Sequence, residues 1–301
     1  MKKIFRWIGI VLGSLVGLIL LLAVVFYFMG NARLNKTYSF PSSGIVAPTD
    51  AENLVRGEHL TKMLCSGCHG ADLGGVIGWF PSGPFGSLDS ANLTAGNGGI
   101  GQEFKTDDDY INAIRNGIDP EGKPIYMPAV TAFQYMSDED LGAIIAYLKT
   151  VLPVDRPNGG QNFSALGNIL IGAGMFGNLP VEDASHKAQV TAPAVGATAE
   201  YGKYLVAIGD CRSCHGKELA GGPFPDPSVT ILSPNLTPGG ELAAWSAEDF
   251  IAAMRTGVTP SGHELNPEYM PWKEISIATD DELNAIFLYL QSLPKLEQET
   301  K

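Results

Sequence analysis

The four cysteines of this chain fall in two identical spacings, Cys65-Ser66-Gly67-Cys68-His69 and Cys211-Arg212-Ser213-Cys214-His215, and none is left over. Each pentad opens the same longer pattern. Arg56-Gly57-Glu58-His59-Leu60 precedes the first, and Tyr201-Gly202-Lys203-Tyr204-Leu205 precedes the second. Downstream, Gly83-Pro84-Phe85 matches Gly222-Pro223-Phe224, and Asn92-Leu93-Thr94 matches Asn235-Leu236-Thr237. Arg115-Asn116-Gly117 matches Arg255-Thr256-Gly257, and Tyr126-Met127-Pro128 matches Tyr269-Met270-Pro271. The units close at Leu152-Pro153 and Leu293-Pro294, with an offset near 142 residues. Two tandem domains follow, at 51–155 and 197–296, each of a size that folds alone.

Each unit reads as helical. Thr279-Asp280-Asp281-Glu282 is a capping box, and Leu283, Ile286, Phe287 and Leu290 then share one face. Ser137 takes the cap position in the first unit, ahead of Leu141, Ile144, Ile145 and Leu148. A middle helix starts at Thr106 or Ser246 with acids in its first turn and stops at Gly117 or Gly257. The stretch before each cysteine pair is also helix-compatible. No alternating strand pattern stands out, so the expected class is all-α, with three or four helices and long Gly- and Pro-rich loops per unit. Loops this long rarely hold together without something to wrap around.

The Cys-x-x-Cys-His spacing supplies that something, because it is the attachment signature of c-type haem. Two thiols three positions apart reach both vinyl groups on one porphyrin edge, and the adjacent His69 or His215 ligates iron. A redox dithiol would not need the histidine twice, and zinc would need further ligands beside each pair. Two covalently attached haems c are therefore expected. Of eight methionines, only Met127 and Met270 occupy equivalent places, which makes them the expected sixth ligands. Gap-filling core methionine is the alternative. His59, His186 and His263 have no histidine counterpart and read as surface or structural residues. Met63, Met136, Met175 and Met254 read as packing residues. Arg115 and Arg255 fit either haem propionates or the C-terminal end of their helix. Pro84 and Pro223 are candidate carbonyl partners for Nδ1 of the ligating histidines.

Residues Trp7 to Gly30 are 24 consecutive uncharged residues behind Lys2, Lys3 and Arg6. As a helix they exceed the ~30 Å hydrocarbon core, so residues 1–36 are expected to be an anchor with its N-terminus inside. A cleaved leader is the other reading, with Gly30 and Ala32 as its small residues. Either way the remainder is exported, and single-pass attachment to the cytoplasmic membrane puts the haem units on the periplasmic side. Residues 37–301 hold 15 basic and 32 acidic residues. This charge disfavours nucleic acid and suits either a basic protein partner or mere solubility. Residues 37–50 are a short linker and 297–301 a tail. The segment 156–196 has no counterpart in the repeat. Its apolar part, 163–179, is too short for a second span and is expected to pack across the two domains, while 184–199 is Ala-, Pro- and Thr-rich.

With these motifs in place, both units resemble class I c-type cytochrome domains. Asn235-Leu236-Thr237-Pro238, Arg255-Thr256-Gly257-Val258 and Tyr269-Met270-Pro271-Trp272 add a likeness to the cytochrome c subunits of membrane-bound alcohol, gluconate and aldehyde dehydrogenases. The resemblance implies an electron-transfer protein rather than an enzyme. Its partners would be redox proteins: a dehydrogenase subunit, another cytochrome or copper protein, or a terminal oxidase. The rival readings are the dihaem subunit of a haem–copper oxidase and a dihaem peroxidase, which would need one displaceable ligand.

Overall fold

A computed structural model describes residues 2–79, 83–127, 129–157, 159–186, 189–226 and 229–300; Pro128 of the first Tyr-Met-Pro lies outside the described residues. Helix α1 (Lys2–Leu34) runs unbroken for 33 residues. Its apolar side chains are exposed along most of its length. Among the described residues it is the one helix long and apolar enough to cross a membrane.

The first unit contains α2 (Ala51–Leu64), α3 (Asp107–Ile111) and α4 (Asp138–Leu148). Helix α3 continues into a π-helical turn over Asn112–Asn116. The connector holds α5 (Ala165–Gly172). The second unit contains α6 (Ala199–Ile208), α7 (Ala247–Thr256) and α8 (Asp280–Gln291). The expected caps are in place. Thr106, Ser137, Ser246 and Thr279 each accept a backbone N–H from the third residue onward. Gly117 and Gly257 end the middle helices with φ of 71°, a conformation that costs glycine little. The helical class holds, with two additions. Gly86–Leu88 pairs antiparallel with Gln161–Phe163, and Gly222–Pro223 with Leu232–Ser233. Strands of two or three residues are too short to show alternation in a sequence.

In both units the first helix crosses the last at a glycine. A Cβ on Gly57 would overlap the carbonyl of Ala143, and one on Gly202 the carbonyl of Ala285. The backbones touch there, and Leu60, Leu141, Ile144 and Ile145, or Leu205, Leu283 and Leu290, close around the contact. Each such buried side chain contributes about 1.5–3 kcal/mol. Gly202→Ala is accordingly expected to force α6 off α8 and lower stability by about 1–3 kcal/mol. A thermal melt of the variant reads this, and an unchanged midpoint would contradict it.

The two units meet through a buried polar cluster built from equivalent positions. Arg56 of α2 donates to Asp140 of α4 at 2.9 and 3.1 Å, to Glu282 of α8 at 2.9 Å and to the Tyr201 hydroxyl at 2.8 Å. His59 Nε2 lies 2.7 Å from Glu282 Oε2, and the Tyr204 hydroxyl donates to Asp140 at 2.7 Å. Asp140 and Glu282 are both third residues of their helices. In α8 the Glu282 carboxylate accepts the cap N–H of Thr279 at 2.9 Å. In α4 the cap N–H of Ser137 goes instead to Tyr204 of the other unit at 3.1 Å. The second unit thus completes the cap of α4, while the first unit supplies Arg56 and His59 to the Glu282 carboxylate of α8. Burial, then the Asp140 charge, holds the Tyr204 hydroxyl well above its usual range.

Two expectations require correction. The apolar connector does not pack across the two domains. Helix α5 lies against the end of α1 and against Phe85 of the first unit, because Gly30, Gly167 and Gly172 let backbones approach there. Met175 is not a packing residue either. It sits in the turn after α5 and is 71% exposed, whereas Met136 is fully buried and Met254 nearly so. Met63 touches the cores of both units.

Candidate functional site

Both pentads are delivered the same way. Helix α2 ends at Cys65, whose N–H donates to Thr61 at 2.9 Å, and a helical turn carries Ser66–His69. In the second unit Cys211–His215 forms the corresponding turn. His69 Nδ1 lies 2.7 Å from the Ala91 carbonyl, and His215 Nδ1 lies 2.9 Å from the Pro234 carbonyl. A carbonyl only accepts, so Nδ1 carries the proton and Nε2 keeps its lone pair. Burial, partly offset by these bonds, holds both imidazoles below their usual pKa. The expectation that Pro84 and Pro223 supply these carbonyls is corrected: the Pro84 carbonyl accepts from Ser164 Oγ at 2.7 Å instead.

The carbonyls come from the residue before each Asn-Leu-Thr, and that motif explains their placement. Asn92 donates to the Val154 carbonyl at 2.7 Å, and its Oδ1 accepts from the Thr94 N–H and hydroxyl. Asn235 donates to the Leu296 carbonyl at 2.8 Å and accepts from Thr237 in the same way. Each loop is thereby tied to the chain beyond the last helix. Leu73 and Leu219, both buried, adopt φ of 57° and 60° between histidine and asparagine. Such strain costs on the order of 1–3 kcal/mol and persists only where the surroundings dictate it. Its occurrence at the same place twice marks a shared demand on the backbone. The repeat displayed Asn92 and Asn235 as matched residues, but their anchoring role and the carbonyls beside them have no signature in the sequence.

Met127 and Met270 sit in loops between the middle and last helices. Met127 packs on the same core as Cys65, and Met270 on the same core as Cys211. Their loops are pinned by Ile125 N–H to the Gly117 carbonyl at 2.8 Å and Leu265 N–H to the Gly257 carbonyl at 2.7 Å. The Trp272 ring covers Gly257 and donates to the Leu265 carbonyl at 3.0 Å. The two sites also adjoin each other. A Cβ on Gly67 would come within 3.1 Å of Glu274 Cγ, so the first pentad abuts the turn that follows Met270.

The two arginines reach the start of the last helix in their unit. Arg115 donates to Asp138 at 2.7 Å and to the Met136 carbonyl at 2.9 Å. Arg255 donates to Asp280 at 2.6 Å and to the Ser276 carbonyl. Arg115 is 1% exposed, yet its Nε and Nη1 find no partner among the described residues. Arg115 also lines a cavity of about 100 Å³ together with Asp108, Asn112, Asn116 and His186. Two orphaned buried donors of this kind suit a carboxylate. The other histidines have structural places: His59 in the interdomain cluster, His186 stacked on Phe40 at 4.2 Å, and His263 paired to the Thr259 backbone.

These residues fit covalently held haem better than the rivals. Among the described residues no three His, Cys, Asp or Glu side chains gather as a metal cluster, so zinc lacks a ligand set there. Exchanging dithiols have depressed pKa values. Burial, then neighbouring charge, pushes Cys65 and Cys211 up to about 12 instead.

A family model described as cytochrome c oxidase, cbb3-type, subunit III matches residues 52–148 and 197–290, well over half of the chain. The cytochrome c subunit of the quinone alcohol dehydrogenase of Komagataeibacter europaeus is 28% identical over 296 residues, covering 87% of this chain and 62% of that protein. The cytochrome c subunit of gluconate 2-dehydrogenase from Pantoea cypripedii is 37% identical over 95 residues, 29% of this chain and 21% of its own length. One subunit of the nicotinate dehydrogenase of Pseudomonas putida is 37% identical over 123 residues, 37% of this chain and 10% of its own length. The chain spans less than two thirds of each of these relatives.

Proposed function

Because the chain belongs to the cytochrome c oxidase, cbb3-type, subunit III family of c-type cytochromes, we propose that it binds one haem c in each unit and passes electrons between redox partners. In this reading Cys65 with Cys68, and Cys211 with Cys214, provide the thioether links. His69 and His215 offer Nε2 to iron, and Met127 and Met270 offer their thioether sulfurs. Haem c, when bound, supplies reversible one-electron exchange at iron. The chain's own part is positional. The Ala91 and Pro234 carbonyls fix the imidazole tautomer and raise its basicity. Thioether sulfur is soft and favours the reduced metal. Arg115 brings two free donors to a propionate. With His69 and Met127, and His215 and Met270, as the residues that would hold iron, no ligand position would be left for a substrate, and the chain would work as a carrier.

The observation that carries this reading is the identical hydrogen-bonded frame around His69 and His215, from strained leucine to anchoring asparagine. Lys2, Lys3 and Arg6 keep the N-terminus inside, so both units face the outer side of the cytoplasmic membrane. The named relatives support a membrane-bound dehydrogenase as electron donor, with the acidic exported region steering its approach.

The decisive measurement is haem stoichiometry on the mature protein. The alkaline pyridine spectrum, read against protein mass, is expected to give two haems per chain, both retained through acid-acetone extraction. One haem per chain, or extractable pigment, would refute the assignment.

A further inference from the structure

The structure points to a second membrane contact: we infer that α5 and the turn after it, residues 165–177, lie in the outer leaflet as a lipid-facing collar around the end of α1. This rests on reading α1 as a membrane span.

The first support is register. A Cβ on Gly30 would overlap the Asn168 carbonyl, and one on Gly172 would overlap the Phe26 carbonyl. As α1 runs from Phe26 to Gly30, α5 runs back from Gly172 to Asn168, so the two are antiparallel and in backbone contact. The C-terminal end of α5 is therefore level with Phe26, about 6 Å deeper than Gly30 at ~1.5 Å rise per residue. A hydrocarbon core of ~30 Å centred on the uncharged run Trp7–Gly30 reaches to about residue 28. The end of α5 falls within it.

The second support is the character of the segment. Residues 157–181 contain no charged side chain and no histidine. Met175 is 71% exposed, Leu166 42% and Phe176 38%. Phe176 also meets the Phe85 ring edge-on at 5.8 Å, tying the collar to the first unit.

The third support is the state of the backbone. A polar group left unpaired in hydrocarbon costs several kcal/mol, so a segment in lipid must close its own hydrogen bonds. Here Ala173, Gly174 and Met175 donate to the carbonyls of Ile169, Ile171 and Leu170 at 2.9–3.1 Å. Arg33 of α1 donates to the Ile171 carbonyl at 2.6 Å and to the Gly177 carbonyl at 3.1 Å. The same guanidinium pairs with Glu182 at 2.5 Å, just beyond the uncharged segment. Arg33 thus reaches back from beyond the uncharged run to cap the end of α5, and its counter-ion Glu182 keeps the pair neutral at the outer edge of the collar.

The test uses the full-length mature protein in liposomes made with lipids carrying a diazirine on the acyl chain next to the glycerol ester, the depth at which the collar is placed. After photolysis and digestion, peptides from 165–177 are expected to carry lipid adducts at a yield comparable to α1 peptides, with none on α7. In parallel, Met175→Cys is expected to react with a charged maleimide about tenfold more slowly than Glu248→Cys, since a thiol kept from water cannot form its thiolate. Val24→Cys serves as the membrane reference. If α1 is labelled while 165–177 is not, and Met175→Cys reacts as fast as Glu248→Cys, the collar is refuted and the span stands. If α1 itself escapes labelling and Val24→Cys reacts freely, the span reading has failed instead.

Discussion

Replacing Glu282 by alanine is expected to destabilise the protein by about 3–5 kcal/mol, the range for removing one partner of a buried ion pair. Glu282 is 3% exposed and receives bonds from Arg56, His59, Tyr201 and the Thr279 backbone. Its loss leaves Arg56 half-paired at the seam and takes away the acceptor of the Thr279 N–H, while the Thr279 hydroxyl still caps α8. Denaturant unfolding measures the effect, with haem content as the control that the variant matures. A change below about 1 kcal/mol, the ordinary value of a surface pair, would mean that the seam is open to water. The pH dependence carries the same signature. Burial alone would raise the Glu282 carboxyl, but bonds from His59, the Thr279 backbone and Arg56 outweigh it and bring the group down to about 2. A carboxyl lowered by folding stabilises fully above its unfolded value, near 4.5, and loses that contribution as pH falls toward 2. The gap between wild type and Glu282→Gln is therefore expected to be widest at neutral pH and to narrow in acid. Comparing the two isolates this group, since Asp72, Asp107 and Glu182 also lie below their ordinary values.

Met270→Ala is expected to change one redox centre and spare the other. On the proposed ligation, the variant keeps both covalent links but loses one sulfur ligand. Its midpoint potential should fall, within the roughly 0.8 V that axial ligands control, and added imidazole should bind at the vacated position. Met127→Ala should do the same to the other centre. Redox-titrated optical spectra, following the methionine–iron band, distinguish the two. If either variant leaves both potentials and the band unchanged, that methionine is a packing residue. Rapid peroxide turnover by the unsubstituted protein would show that one ligand is already displaceable and would undo the carrier reading.

The two-unit plan, the pentads, the matched methionines and the helix boundaries were legible because each depends on near neighbours or on repetition. A cap is settled within three residues, as Thr279 with Glu282 shows. Other features have no period. Arg56 meets Glu282 across 226 residues, and Arg33 meets Glu182 across 149. Helical spacing gives Arg56 no reason to be buried, and only the docking of α2 against α8 supplies one. The choice of Ala91 and Pro234, rather than the prolines nearer each histidine, likewise depends on where Asn92 and Asn235 tether their loops. The two units and the residues that repeat between them could be read from the chain, since local stereochemistry and repetition set them. How the units face each other and where the connector lies could not: the first is set by Arg56 and Tyr204 reaching Glu282 and Ser137 of the opposite unit, and the second by backbone contact at Gly30 and Gly172, which the pattern of side chains does not specify.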